Sequence, residues 1–190
     1  MVLSALGYRV AGVDGSLGMV EEARRRGVAA SVADLATAGP ELFGGTAGEK
    51  WDGVLSNFGA LNCLPTLRGI AAGTAAGLRS GARVILVVMN RRCPVETLTL
   101  AMRGRPSRRQ DGRVSVGEQA VTVRYLSSRT VVEEFSPAFR VVRIEALGAL
   151  MSPPDLGGRV GWGTAVEPWV ATWPGVRGWG DHTMFVLRRT

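Results

Sequence analysis

Lysine is nearly absent from this chain: among 23 basic residues Lys50 is the one lysine, and histidine occurs once, at His182. Cysteine is scarce too. Cys63 and Cys93 stand far apart without the paired spacing of a zinc site or a disulfide framework, so they read as buried or loop thiols in a reducing compartment. No apolar run approaches the roughly 18–20 residues that cross a bilayer. The N-terminus has no basic region followed by an apolar stretch, so no secretory signal is expected. These absences lead to the expectation of a soluble, cytoplasmic protein with no metal site and no membrane partner. The net charge is +7, carried by arginine. Guanidinium groups pair well with phosphates, but these arginines fall in short scattered groups, with one denser stretch over residues 103–113 and few aromatics among them to stack bases. Nucleic acid is therefore not the expected partner.

What is present is apolar and alternating. At 190 residues and 46% hydrophobic content the chain can bury one sizeable core, and residues 1–190 are read as a single domain. Strands are expected over residues 8–13, 28–32, 51–56 and 83–89, the last carrying the uninterrupted run Val84-Ile85-Leu86-Val87-Val88. Residues 16–26 read as a helix with Ser16 as N-cap and Gly27 as stop signal. A helical turn is expected near residues 40–43. Residues 64–78 read as a second helix despite Gly69, Gly73 and Gly77, which share a face and are expected to pack against the sheet. Repeated βαβ units with short connections imply a parallel sheet with right-handed crossovers. The second half reads as a helix over 96–102, a basic loop over 104–112, a hairpin over 114–126, a helix over 128–135, a strand over 139–147, a helix over 165–173 and a closing strand over 183–188.

The succession Val13-Asp14-Gly15-Ser16 with Met19-Val20-Glu21-Glu22-Ala23-Arg24, then Ala33-Asp34-Leu35, then Trp51-Asp52-Gly53-Val54-Leu55-Ser56-Asn57-Phe58-Gly59, then Leu78-Arg79-Ser80-Gly81-Ala82-Arg83-Val84, resembles class I S-adenosylmethionine-dependent methyltransferases. The ending Gly180-Asp181-His182-Thr183-Met184-Phe185-Val186 is similar to the closing strand of that family. The resemblance implies an α/β, Rossmann-like, doubly wound and mostly parallel sheet with an antiparallel C-terminal strand, and S-adenosylmethionine as cofactor. Carried over position by position, Asp14 and Gly15 hold the cofactor ribose and Met19 lies near the adenine. Asp34, with Ala33 and Leu35, meets the adenine amino group. Asn57, Phe58 and Gly59 lie beside the methionine portion and the acceptor. Each position also has a plainer role: Asp14 as a turn, Asp34 as a cap, and Asn57 to Gly59 as a loop.

The chain departs from that pattern at its start. The family carries a glycine-rich turn after a first strand, and nothing before residue 8 supplies either; residues 1–6 look like the last turns of the intervening helix. The later stretch Gly161-Trp162-Gly163-Thr164 follows no strand and reads as a loop. The resemblance would place the missing strand centrally, between the strands at residues 8–13 and 51–56. Three explanations are open: an N-terminally incomplete fragment, which is favoured, a decayed relative, or a variant in which the flanking strands pair directly. The expected activity is methyl transfer to a small-molecule acceptor, with residues 93–126 and 148–179 as variable acceptor or lid segments. Trp162, Trp169, Trp173 and Trp179 are candidates to line the acceptor pocket. No general base is assigned; His182, read at a turn before the last strand, is taken as a capping or hydrogen-bonding residue. The alternatives are a nicotinamide-dependent oxidoreductase, because an acid after a second strand serves NAD as well, and a non-catalytic binding module of the same fold.

Overall fold

In the computed structural model, which describes residues 2–37, 40–43, 49–57, 59–107, 109–116, 119–150 and 162–190, the apolar run of residues 84–88 enters the buried core through Val84, Leu86 and Val88. The order of elements is α1 (Val2–Ala5), β1 (Ala11–Asp14), α2 (Leu17–Arg25), β2 (Ala29–Val32), a 3-10 turn (Pro40–Phe43), β3 (Trp51–Ser56), a second 3-10 turn (Ala60–Cys63), α3 (Arg68–Gly77) and β4 (Leu78–Met89). There follow α4 (Pro94–Met102), β5 (Gly112–Val116), β6 (Gln119–Val123), α5 (Ser128–Phe135), β7 (Phe139–Leu147), α6 (Trp162–Val170) and β8 (His182–Arg189).

The main sheet has the order β3-β4-β8-β7. β3 and β4 are parallel, and β8 runs antiparallel to both β4 and β7. Three strands therefore share one direction, and the C-terminal strand opposes them, as expected. Alternation along the strands sorts the side chains. Val84, Leu86 and Val88 of β4, with Phe185 and Leu187 of β8, are buried in one cluster with Ile70 and Ala71 of α3 and Val131 and Phe135 of α5. Phe135 meets Phe139 edge to face at 5.5 Å, a geometry that places the positive ring edge on the negative face. Their alternates Ile85, Val87 and Met89 are only partly buried.

α3 is shorter than its expected span. Pro65 disfavours helical backbone at Leu64, which is extended (φ −94°, ψ 141°). The glycines of α3 do not meet the sheet as expected. A side chain at Gly73 would strike the ring of Phe43 and one at Gly77 would strike the Phe43 backbone, whereas Gly69 faces open space. Two of the three glycines thus admit the 3-10 turn Pro40–Phe43 against the helix.

β1 and β2 form a separate parallel pair, in register from Ala11↔Ala29 to Asp14↔Val32. Between them α2 begins at Ser16, whose hydroxyl accepts from Met19 N (3.4 Å), and ends before Gly27, at φ 80°. The strand at residues 8–13 starts late: Gly7 turns the chain at φ 84°, and Tyr8 N is spent on Leu3 O. A parallel strand covered on both faces was expected, yet Val13 and Val32 are exposed, because among the described residues this pair has a single helix against it and no strand on β1's outer edge. β1 does not pair with β3, which removes the direct-pairing explanation. The two sheets are tied at their amino ends by Arg9, which bonds Glu49 (2.6 Å) and lies over the Trp51 ring (5.1 Å). β5 and β6 make the expected hairpin. Gly161 lies outside the described residues, while residues 162–164, read as loop, are the first turn of α6.

Candidate functional site

Parallel strands present their carboxyl ends together, and in open α/β sheets ligands bind there. Asp14 is the last residue of β1. Its Oδ1 accepts from Ser16 N (2.8 Å), the Asx-turn role anticipated for it. Ala33 N donates to Asp14 O (3.1 Å), which holds the tips of the two strands together, and Gly15 lies over Ala33 O. Asp34 repeats the arrangement, Oδ1 accepting from Ala36 N (2.9 Å). In each carboxylate the second oxygen takes no hydrogen bond among the described residues, so the turn role uses half of the acceptor capacity and leaves half for a ligand. Met19 is exposed beside this tip. Leu35 instead packs against the main core, since an apolar side chain gains more from that contact than from an open rim.

The second group of expected positions belongs to the other sheet. Asn57 follows β3 and is exposed; Phe58 lies outside the described residues. Gly59 is buried, at φ 75°, and an added Cβ would come within 3.1 Å of Met89 Cε. Glycine is required there both by the left-handed backbone and by the close approach. Asp14, Gly15, Ala33 and Asp34 are therefore gathered at one strand-end, Gly59 sits at the tip of β4, and the two groups stand on sheets that share no hydrogen-bonded strand.

Two features escape sequence reasoning. Asn62, fully buried, accepts from Met89 N through Oδ1 (2.8 Å) and donates through Nδ2 to Met89 O (2.9 Å) and Arg124 O (2.6 Å). It satisfies the end of β4 where no strand does. The second feature is a buried ionic network. Arg109, drawn from the stretch that reads as a basic loop, has a side chain 5% exposed and bonds Glu96 Oε2 through Nε (2.8 Å). Its Nη1 donates to Asn90 O (2.8 Å) and Asp181 O (3.0 Å), its Nη2 pairs with the Glu96 and Asp181 carboxylates, and it lies over the Tyr125 ring at 5.5 Å. Nothing in the sequence distinguishes Arg109 from neighbouring arginines; only the fold brings it to Glu96. Asp181 Oδ2 meets His182 Nδ1 at 2.9 Å. That hydrogen bond, supported by Arg109 and opposed by burial, lowers the Asp181 pKa to about 2. Burial pushes the Cys93 thiol up, which disfavours the thiolate a nucleophile needs. His182 is the first residue of β8, not a turn residue before it.

Two clefts, of about 400 and 300 Å3, flank α5 and involve Arg68, Glu134 and Pro137 in one and Arg129, Ile144 and Arg177 in the other. Neither includes Asp14, Asp34 or Gly59. Trp169, Trp173 and Trp179 are exposed and line neither of these clefts; the Trp162 side chain lies outside the described residues.

No family model matches the sequence, and no curated protein matches it at a significant level. Solved structures do match its fold. An S-adenosylmethionine-dependent methyltransferase from Mesorhizobium loti aligns with 95% of this chain and 80% of its own, at 13% identity and a TM-score of 0.59. The CcbJ methyltransferase from Streptomyces caelestis aligns with 99% of this chain and 77% of its own, at 13% identity and a TM-score of 0.59. The glycopeptide N-methyltransferase MtfA, solved with S-adenosyl-L-homocysteine, aligns with 99% of this chain and 76% of its own, at 14% identity and a TM-score of 0.56. The chain thus has the Rossmann-like fold of the class I S-adenosylmethionine-dependent methyltransferases.

Proposed function

We propose that this chain binds S-adenosylmethionine at the carboxyl ends of β1 and β2 and serves methyl transfer to a small-molecule acceptor. The observation that carries the reading is the pair of strand-end carboxylates, Asp14 and Asp34, each with one oxygen fixed by its own turn and the other free for a ligand. A free carboxylate oxygen suits a ribose hydroxyl at Asp14 and an adenine amino group at Asp34, so the residues present fit the nucleoside half of the cofactor. When bound, the cofactor supplies a methyl group on an electrophilic sulfonium centre. The protein's share is then to orient the acceptor and exclude water. Asn57 and Gly59 are the positions for the methionine end, and the segments 93–126 and 148–179 are the source of acceptor contacts. The neighbours of the same fold support this reading, MtfA having been solved with the cofactor, its product and sinefungin.

Calorimetric titration with S-adenosylhomocysteine tests it. The wild-type chain binds, and Asp14→Ala weakens binding by about 10- to 100-fold, the worth of one hydrogen bond to a charged group at about 1.5–3 kcal/mol. Binding of NADH without affinity for S-adenosylhomocysteine overturns it in favour of an oxidoreductase. A second reading, the non-catalytic module, draws on the edges of β1 and β3, which pair with no further strand among the described residues and so offer backbone groups to a partner strand. Its signature is a stable complex with a partner chain and no cofactor affinity.

A further inference from the structure

We infer that His182, oriented by Asp181, is the proton acceptor of this site, its Nε2 taking the proton of the methyl acceptor. The inference rests on the methyl-transfer reading for its substrate, but not for its geometry. His182 pairs with Met89, the last residue of β4, and with Leu147, the last residue of β7. It therefore stands on the rim where the parallel strands end. Cross-strand partners share a face, so the His182 side chain lies on the same side of the sheet as Met89, against whose side chain Gly59 packs.

The arrangement around the ring selects one tautomer. Asp181 Oδ2 lies 2.9 Å from Nδ1, and an ionised carboxylate can only accept. The neutral imidazole must then carry its proton on Nδ1, which leaves the Nε2 lone pair bare. Asp181 cannot turn away. Its other oxygen is held by Arg109, its carbonyl accepts from Asn90 N (3.1 Å) and Arg109 Nη1, and Gly148 is packed against its Cβ. Arg109 is fixed in turn by Glu96, whose side chain is 2% exposed. The His182 side chain remains 28% exposed, and no hydrogen bond to its Nε2 occurs among the described residues. Of the other carboxylates on the flanking elements, Glu145 of β7 pairs with Arg143 (2.7 Å), and Glu167 of α6 accepts from Gly148 N and Ala149 N through Oε1 while its Oε2 is buried without a partner among the described residues. The ionic network accounts for anchoring the loop of Arg109 to β4 and β8. It does not require an exposed imidazole at its outer end, and the proton-accepting role does.

In the step, the acceptor's X–H proton passes to Nε2 and the X–H electron pair becomes the X–CH3 bond. The S–CH3 pair stays on sulfur as the neutral thioether. Asp181 keeps its charge throughout and stabilises the imidazolium that forms.

Because His182 is the one histidine, ring-15N spectra of histidine-labelled protein contain a single imidazole. In the neutral ring the Nδ1–H tautomer is expected to be the major form, and to become the minor one in Asp181→Asn. An Nε2–H tautomer in wild type overturns the inference. In parallel, His182→Gln is expected to hold S-adenosylhomocysteine affinity within about two-fold. The same change lowers transfer of labelled methyl to small thiol, phenol or amine probes by about 100-fold, a loss that shrinks as pH approaches the probe's own pKa. Unchanged transfer overturns the role. Loss of S-adenosylhomocysteine binding by wild type with the expected tautomer overturns the methyl-transfer reading and leaves the Asp–His pair standing.

Discussion

The units β1–α2–β2 and β3–α3–β4 are built on the same plan, a parallel pair with a helical crossover, yet they end in different physical states. In the second, Val84, Leu86 and Val88 are 0%, 1% and 1% exposed; in the first, Val13 and Val32 are 37% and 48% exposed. β4 has a strand on either side and α3 and α5 against one face. Among the described residues β1 has one strand and α2, anchored chiefly through the buried Val20. Apolar strand sequence specifies a strand in both places. What it contributes to stability depends on how many neighbours take it out of water.

The comparison is broken most easily by truncating one apolar side chain in each unit's sheet. Phe185→Ala, in the strand paired with β4, is expected to cost about 3–5 kcal/mol in urea denaturation, while Val13→Ala costs under about 1 kcal/mol because little surface leaves water there. Equal losses would show that the two sheets are equally buried in solution. Gly77→Ala pushes against the Phe43 backbone and is expected to cost about 1–3 kcal/mol by the same measurement; a neutral result would mean that the 3-10 turn Pro40–Phe43 is free to move.

Acid sharpens the picture at the rim of the packed unit. The Asp181 pKa is lowered from 3.8 to about 2. Stability from this group is therefore complete above the unfolded value and is lost as pH falls from about 4 through 2. The loss amounts to about 2 kcal/mol at most, as the side chain is partly exposed. Asp181→Asn should remove that pH dependence from acid denaturation curves, and curves that superimpose with wild type would refute the assignment. The smallest effect has the opposite sign: Gly69→Ala, where a Cβ meets nothing within 4 Å, is expected to raise stability by up to about 1 kcal/mol.

Much of this was legible along the chain where local rules govern. α5 (Ser128–Phe135) and β7 (Phe139–Leu147) have the expected bounds, as apolar period, N-cap and turn signals agree over both. The ends of α3 and β1 were misread, because Pro65 and Gly7 impose backbone constraints that outweigh apolar patterning. At the candidate site, Asp14 and Asp34 stand out because an acid at a strand end is a local signal. The roles of Asn62, Glu96 and Arg109 were not legible. Each depends on partners remote in sequence, and a buried arginine has the same letter as a solvated one.

The sequence by itself determined the alternation of strands and helices, the positions of the caps and the acids at the strand ends, since these follow from side-chain period and backbone preference within a few residues. The tertiary structure alone decided that the described strands divide into three sheets, with β1-β2 apart from β3-β4-β8-β7, and that Gly73 and Gly77 admit Phe43. It also decided that a chain of ion pairs, buried at Glu96 and Arg109 and partly exposed at Asp181, ends on the single histidine. The physical reason is that burial and ion pairing are properties of neighbours in space, which local preference does not specify.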